Sequence, residues 1–249
     1  MELNKTELRY YLKEKYNYSE LKIQNILDKG TLKIEGPLAY ALGYVDFLDT
    51  KIDLRYKTLI PRPETEYWVK NILDSERERG NKREILDIFC GSGCIGISIL
   101  KHLNNTHVTF SDIDTNAIKQ TKYNLKNNNI SKDRYTVIKS DLFKNIPKQE
   151  FDIIFANPPY VGKDDEYGKE VLLEPENAVF ADDNGLAVIK KFLSKVLEYI
   201  KPGGVLYMEM GENQMENIKN FIKNPNARIA FKKDQYGKVR VLEIKKATY

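Results

Sequence analysis

Cysteine, tryptophan and histidine are scarce: 249 residues hold two, one and two of them. The two cysteines, Cys90 and Cys94, stand four apart in a glycine-rich stretch. One such pair is too few for a disulfide framework or a metal cage, and it points to a reducing, cytoplasmic setting. His102 and His107 are isolated, so each reads as a surface or packing residue and no metal centre is expected. Long apolar runs are missing too, and none approaches membrane-spanning length. The opening Met1-Glu2-Leu3-Asn4-Lys5 is polar with no apolar stretch behind it, so no membrane partner is expected. An excess of one charge is lacking. The net charge of +4 is compatible with an acidic or nucleic-acid partner and does not require one. What is present is 41% hydrophobic and 31% charged residues, enough for an ample core. The length allows one large domain with a small appendage.

Three regions are expected. Residues 1–36 form a short helical appendage. Leu8, Tyr11 and Leu12, then Leu21, Ile23, Ile26 and Leu27, recur near the helical period. Ser19 offers a start for the second helix and Gly30 a stop. This appendage either packs on the main domain or binds a partner. Residues 37–60 form a β-hairpin, with strands over 44–48 and 52–56 about Asp49-Thr50-Lys51. Residues 61–249 form the main domain. At its edge lies Leu59-Ile60-Pro61-Arg62-Pro63-Glu64-Thr65-Glu66, a stiff bend from which Glu64 or Thr65 starts a helix. Arg62 and the two nearby carboxylates read as facing the site. The charged stretch over 74–84 reads as a solvated helix end and loop.

Within the main domain, strand and helix patterns alternate five times and end in a hairpin-like pair of strands. That order predicts a mostly parallel seven-stranded α/β sheet with helices on both faces and one antiparallel strand. The first strand, 85–89, runs into Cys90-Gly91-Ser92-Gly93-Cys94 and then a helix. Strand, glycine-rich turn and helix make a nucleotide-type cofactor loop. It has neither a third glycine at dinucleotide spacing nor the Lys-Ser/Thr of a phosphate loop. An adenosine cofactor without a pyrophosphate fits best, namely S-adenosylmethionine. Asp87 could meet its methionine amino group. Asp112, ending the second strand, is expected to hold the ribose hydroxyls. Asp114 competes for that role or caps the next helix. After the third strand, Asp141 could accept from the adenine amino group, or cap a short helix, while Leu142 covers the ring.

The fourth strand ends in Asn157-Pro158-Pro159-Tyr160. The prolines stop the strand and stiffen the loop, so a polar amide is held at the carboxyl edge where open α/β sheets bind ligands. An sp² nitrogen is a poor nucleophile because its lone pair is delocalised. The Asn157 side-chain oxygen and the Pro158 carbonyl can each accept from a target NH₂ and turn that lone pair toward an electrophile. Tyr160 can lie against a planar amide or base. The irregular stretch over 161–183 reads as a lid or binding loop.

With these motifs the chain resembles the class I, Rossmann-like methyltransferases, and within them the HemK/PrmC glutamine methyltransferases. The likeness covers about residues 37–245. It rests on the Pro-Arg-Pro-Glu-Thr-Glu stretch at 61–66, Asp87 to Gly93, Asp112, Ser140-Asp141-Leu142-Phe143, Asn157-Pro158-Pro159-Tyr160, Glu174-Pro175 and Lys201-Pro202-Gly203-Gly204. The resemblance implies methylation of the side-chain amide of the glutamine in the Gly-Gly-Gln loop of peptide chain release factors. It implies that Phe89, Cys90, Gly91, Ser92 and Gly93 wrap the cofactor, with Asp112, Asp141, Leu142 and Asn157 completing its site. Asn157, Pro158, Pro159 and Tyr160 would grip the glutamine. The release factor would be the partner, with no direct nucleic-acid binding required. Phe89 stands where that family usually carries glycine, and the region before the hairpin is shorter than its usual helical domain. The runner-up is methylation of an exocyclic amino group on DNA or RNA, with Tyr160 stacking a flipped base.

Overall fold

The computed structural model describes residues 3–30, 36–76 and 82–248. Two short helices open the chain, α1 (Lys5–Tyr16) and α2 (Glu20–Lys29). Asn4 starts α1 through a capping box: its side-chain oxygen accepts from the Thr6 and Glu7 amides, and the Glu7 carboxylate accepts from the Asn4 amide at 2.8 Å. Ser19 caps α2, and Gly30 ends it in the left-handed conformation. A five-residue helix, α3 (Leu38–Leu42), leads into the antiparallel pair β1 (Tyr44–Phe47) and β2 (Thr50–Asp53). The turn is Leu48-Asp49, both at positive φ, one position earlier than the sequence suggests.

The helix after the proline bend, α4 (Pro63–Glu76), starts at Pro63 rather than at Glu64 or Thr65. A proline fits the first helical position because its missing N–H would have no partner there. The charged stretch over 74–84 falls in part on 77–81, outside the described residues. The alternating core then follows as β3 (Arg83–Ile88), α5 (Cys94–His102), β4 (Thr106–Asp112), α6 (Thr115–Asn127), β5 (Tyr135–Lys139) and β6 (Phe151–Ala156). Beyond them lie α7 (Glu176–Val179), α8 (Ala187–Val196), β7 (Ile200–Glu209), α9 (Met215–Phe221), β8 (Ala227–Lys233) and β9 (Val239–Lys246).

Seven strands form one sheet in the order β5-β4-β3-β6-β7-β9-β8. Only β9 runs antiparallel to its neighbours β7 and β8. The Lys201-Pro202-Gly203-Gly204 stretch bulges at the start of β7, and regular pairing with β6 begins at Val205. Strand alternation divides the core. Ile85, Ile153, Phe155 and Tyr207 face α4, α5 and α6 on one side. Leu86, Ile88, Ile154 and Met208 face α8 and α9 on the other. Neighbouring residues thus serve opposite layers, as a period of two requires. The Asn124 carboxamide on α6 fastens the hairpin to this body. Its oxygen accepts from the Asp53 amide at 2.9 Å, while its nitrogen donates to the Asp53 and Ser92 carbonyls. Among the described residues, no helix is long and apolar enough to cross a membrane.

Candidate active site

A cleft of about 860 Å³, mouth included, opens at the carboxyl edge of β3, β4 and β6. Five sources line it: the turn after β3 with the start of α5, the end of β4 with the first turn of α6, the loop after β6, α7 with the proline before it, and residues 57–65 ahead of and within α4.

The turn after β3 is a cradle. Phe89 has φ +62° and Gly91 +53°, and a Cβ added at Gly91 would meet nothing within 4 Å. The backbone at Gly91 is therefore open to a ligand. Phe89 adopts a conformation that favours glycine, held by its ring packing edge-on against Phe192 at 5.5 Å. Cys90 and Cys94 are free and buried. Burial pushes both thiols up, that of Cys94 to about 12, so neither serves as a nucleophile.

Asp112, the last residue of β4, is bonded to this turn. One carboxylate oxygen accepts from the Gly91 amide and the other from the Asp114 amide, each at 2.9 Å. Burial pushes its carboxyl up, against the charge-stabilising pull of those amides. Asp114 caps α6 through the Asn116 and Ala117 amides. Its second oxygen accepts from the Asn177 carboxamide at 3.3 Å, which draws α7 to the mouth of the cleft. Asp87 does not reach the cleft wall. It is buried beneath α5, accepts from the Gly96 amide at 2.9 Å, and burial pushes it up to about 8.

The loop after β6 brings Asn157 and Pro159 to the wall. The Asn157 side-chain oxygen is buried and has no hydrogen-bond partner among the described residues. Native structures rarely leave such an atom orphaned, so it marks a place where a donor is expected. Phe89, Cys90, Gly91, Ser92 and Asp112 share this cleft with it. Gly93, Asp141, Leu142, Pro158 and Tyr160 do not line it. Gly93 begins α5 at φ +80°. The turn at Asp141 and Leu142 is tied by Ser140, whose hydroxyl accepts from the Asn145 amide and donates to the Leu142 carbonyl. Asp141 caps no helix with its side chain, and its carboxylate is exposed. The Tyr160 hydroxyl donates to Glu209 at 2.9 Å.

Arg62, Glu64 and Glu66 do not line the cleft as expected; Arg62 and Glu66 tie neighbouring segments together instead. Arg62 pairs with Glu174, whose other oxygen accepts from the Ile60 amide at 2.9 Å. Glu66 accepts from the Leu48 amide at 2.7 Å in the hairpin turn. Sequence reasoning did not single out Lys57, Thr58, Ile113, Asn116 or Ala178, all of which line the cleft. It also passed over Glu209, whose only signal is an acid closing the apolar run Leu206-Tyr207-Met208.

Comparison with known proteins agrees with this geometry. The family model described as Methyltransferase small domain matches residues 68–193. A release factor glutamine methyltransferase from Streptococcus pneumoniae is 35% identical over 213 residues, covering 84% of this chain and 74% of that protein. One from Lactococcus lactis subsp. lactis is 33% identical over 249 residues, covering 98% and 90%. Among solved structures, a methyltransferase from Pyrococcus furiosus has a TM-score of 0.60 at 20% identity, covering 93% of this chain and all of that one, a likeness of fold.

Proposed function

The chain belongs to the release factor glutamine methyltransferases, and on that premise we propose its reaction. It transfers a methyl group from S-adenosylmethionine to the side-chain amide nitrogen of the Gln in the Gly-Gly-Gln motif of a peptide chain release factor. The observation that carries this reading is the buried, unpartnered Asn157 oxygen in the cleft wall.

The cleft fits the cofactor by its own features. The open backbone at Gly91 admits close approach, and the buried Asp112 carboxylate suits a pair of ribose hydroxyls. Phe89 to Gly93 and Asp112 would hold it, with Asp141 and Leu142 at its adenine end. When bound, it would supply an electrophilic methyl on a sulfonium, and the C–S bond that breaks would leave the neutral thioether S-adenosylhomocysteine. The protein's part is positioning. The Asn157 oxygen and the Pro158 carbonyl each accept one N–H of the glutamine amide, which aims the nitrogen lone pair at the methyl carbon. As positive charge reaches that nitrogen, the Asn157 oxygen stabilises it. The methylated nitrogen then loses a proton to water, so no dedicated base is needed.

Residues 61–249 carry this chemistry in our reading, with 37–60 as hairpin linker and 1–36 as appendage, in a cytoplasmic setting. Base-amino methylation is not favoured, because the relatives that span most of the chain are glutamine methyltransferases. The test is mass spectrometry of a release factor incubated with the protein and S-adenosylmethionine. One added methyl on the Gly-Gly-Gln glutamine is expected. Methyl groups found only in added DNA or RNA would overturn the reading.

A further inference from the structure

Glu209 closes β7, is buried, and so far has no part in the reaction. Three side chains donate to it. Its Oε1 accepts from the Tyr160 hydroxyl at 2.9 Å, and its Oε2 from the Thr65 hydroxyl at 2.6 Å and the Trp68 indole N–H at 2.9 Å. Tyr160 is held at its other end too. The Gln214 side-chain amide donates to the Tyr160 carbonyl at 2.8 Å and to the Asn184 carbonyl at 3.0 Å. Gly185 closes on the same carbonyl so tightly that a Cβ there would lie 2.0 Å from it. Between this anchored tyrosine and Asn157 lie only Pro158 and Pro159, which fix φ and leave the loop little freedom.

We infer that Glu209 is a positioning residue. Its two oxygens tie Tyr160 to Thr65 and Trp68, and so set Asn157 on one wall of the cleft and Thr65 on another in a single fixed geometry. Thr65 lines the cleft, and its proton is committed to Glu209, so its oxygen presents only lone pairs to a ligand. Tyr160 accordingly acts through its hydroxyl as a strut and not as a stacking platform. Burial and the neighbouring Glu209 carboxylate push its phenol up, so it remains a donor at every working pH. This inference rests on the amide-transfer reading, because it assigns Glu209 to the placement of Asn157.

The test uses the full chain with a release factor and S-adenosylmethionine, comparing wild type, Tyr160→Phe, Glu209→Gln and the double variant. Tyr160→Phe keeps the ring and removes one hydroxyl, so it remains informative even if Glu209→Gln fails to fold. It should lower kcat about 100-fold, the effect of a roughly 1 Å misplacement. KM for the release factor and Kd for the cofactor should stay within about twofold. The double variant should be no slower than the slower single one, because both break one link. A kcat unchanged in Tyr160→Phe, a loss matched in KM and Kd, or additive losses would overturn the inference. Amide hydrogen exchange gives a readout that needs no turnover. Residues 160–162 and 179–181 should exchange faster in Tyr160→Phe, while β3 and β4 stay as in wild type. Unchanged exchange at 160–162 overturns the role of Glu209. Wild type that methylates no release factor overturns the proposed function instead.

Discussion

Asn157→Ala separates function from stability more sharply than any other single change. A buried acceptor without a partner costs about 1–3 kcal/mol of folding free energy, and the Asn157 oxygen is such an atom. Removing the carboxamide relieves that cost. The space vacated borders an open cleft, so water can enter it and the void term stays small. With the void term small, relief of that cost leaves stability at or above wild type, by up to about 3 kcal/mol. Transfer should behave quite differently. Losing one preorganised polar group aimed at developing charge lowers kcat by about 10²–10³, or about 2.7–4 kcal/mol. Cofactor affinity should hold, because the turn over Phe89 to Gly93 follows β3 and Asp112 ends β4, and no hydrogen bond ties either to the Asn157 oxygen. Thermal denaturation, a cofactor binding titration and single-turnover methyl transfer measure the three quantities on one preparation. A fall in Tm beyond about 10 °C would show that the oxygen was a structural acceptor after all. Retained transfer, or a cofactor affinity that falls in step with kcat, would remove Asn157 from the role given to it.

Phe89 offers a reversal of a familiar order. Its φ of +62° costs a residue with a Cβ about 1–2 kcal/mol relative to glycine, and both small substitutions forfeit the contact with Phe192. Phe89→Gly should therefore melt above Phe89→Ala by about 1 kcal/mol in chemical denaturation, and Ala above Gly would refute the strain. Asp87 should make stability depend on pH. Burial raises its folded pKa to about 8, above the unfolded value of 3.8, so the folded chain binds the extra proton between them. Stability contributed by that proton is full below about pH 4 and is lost as pH rises toward 8, at up to about 1.4 kcal/mol per pH unit. Asp87→Asn keeps an acceptor for the Gly96 amide and should flatten that slope in denaturation curves taken from pH 5 to 8. An unchanged slope would mean that Asp87 titrates normally.

The sheet was legible because its strands carry their own evidence. Phe151-Asp152-Ile153-Ile154-Phe155-Ala156 is short, apolar and stopped by prolines, and it forms β6 over those same residues. The parallel order followed from alternating strands and helices, and the reversal at β9 from the closing hairpin. Errors arose where backbone conformation overrides residue type. Leu48 and Asp49 both sit at positive φ, so the turn falls one residue early. At Lys201-Pro202-Gly203-Gly204 the chain already belongs to β7 and bulges within the sheet. The helix after the proline bend begins on Pro63, because a proline costs nothing where no amide partner exists.

For the site, local motifs pointed to some of the groups that line the cleft but not to what holds them in place. The turn over 89–93, Asp112 and Asn157 each announce themselves within a few residues of a strand end, where the fold delivers ligands. The supports come from far away in the chain. Arg62 finds Glu174 across 112 residues, and Thr65 finds Glu209 across 144. A lone Arg, Thr or Glu at such separation carries no periodicity and no spacing that points to its partner. The hydroxyl of Tyr160 is equally silent in the sequence, since a tyrosine beside two prolines reads alike whether its hydroxyl is free or committed. Its commitment to a buried carboxylate follows only once β7 lies beside β6. A sequence thus exposes reacting groups more readily than the groups that aim them, because recognition of a ligand is local while rigidity is built from contacts that the fold must first create.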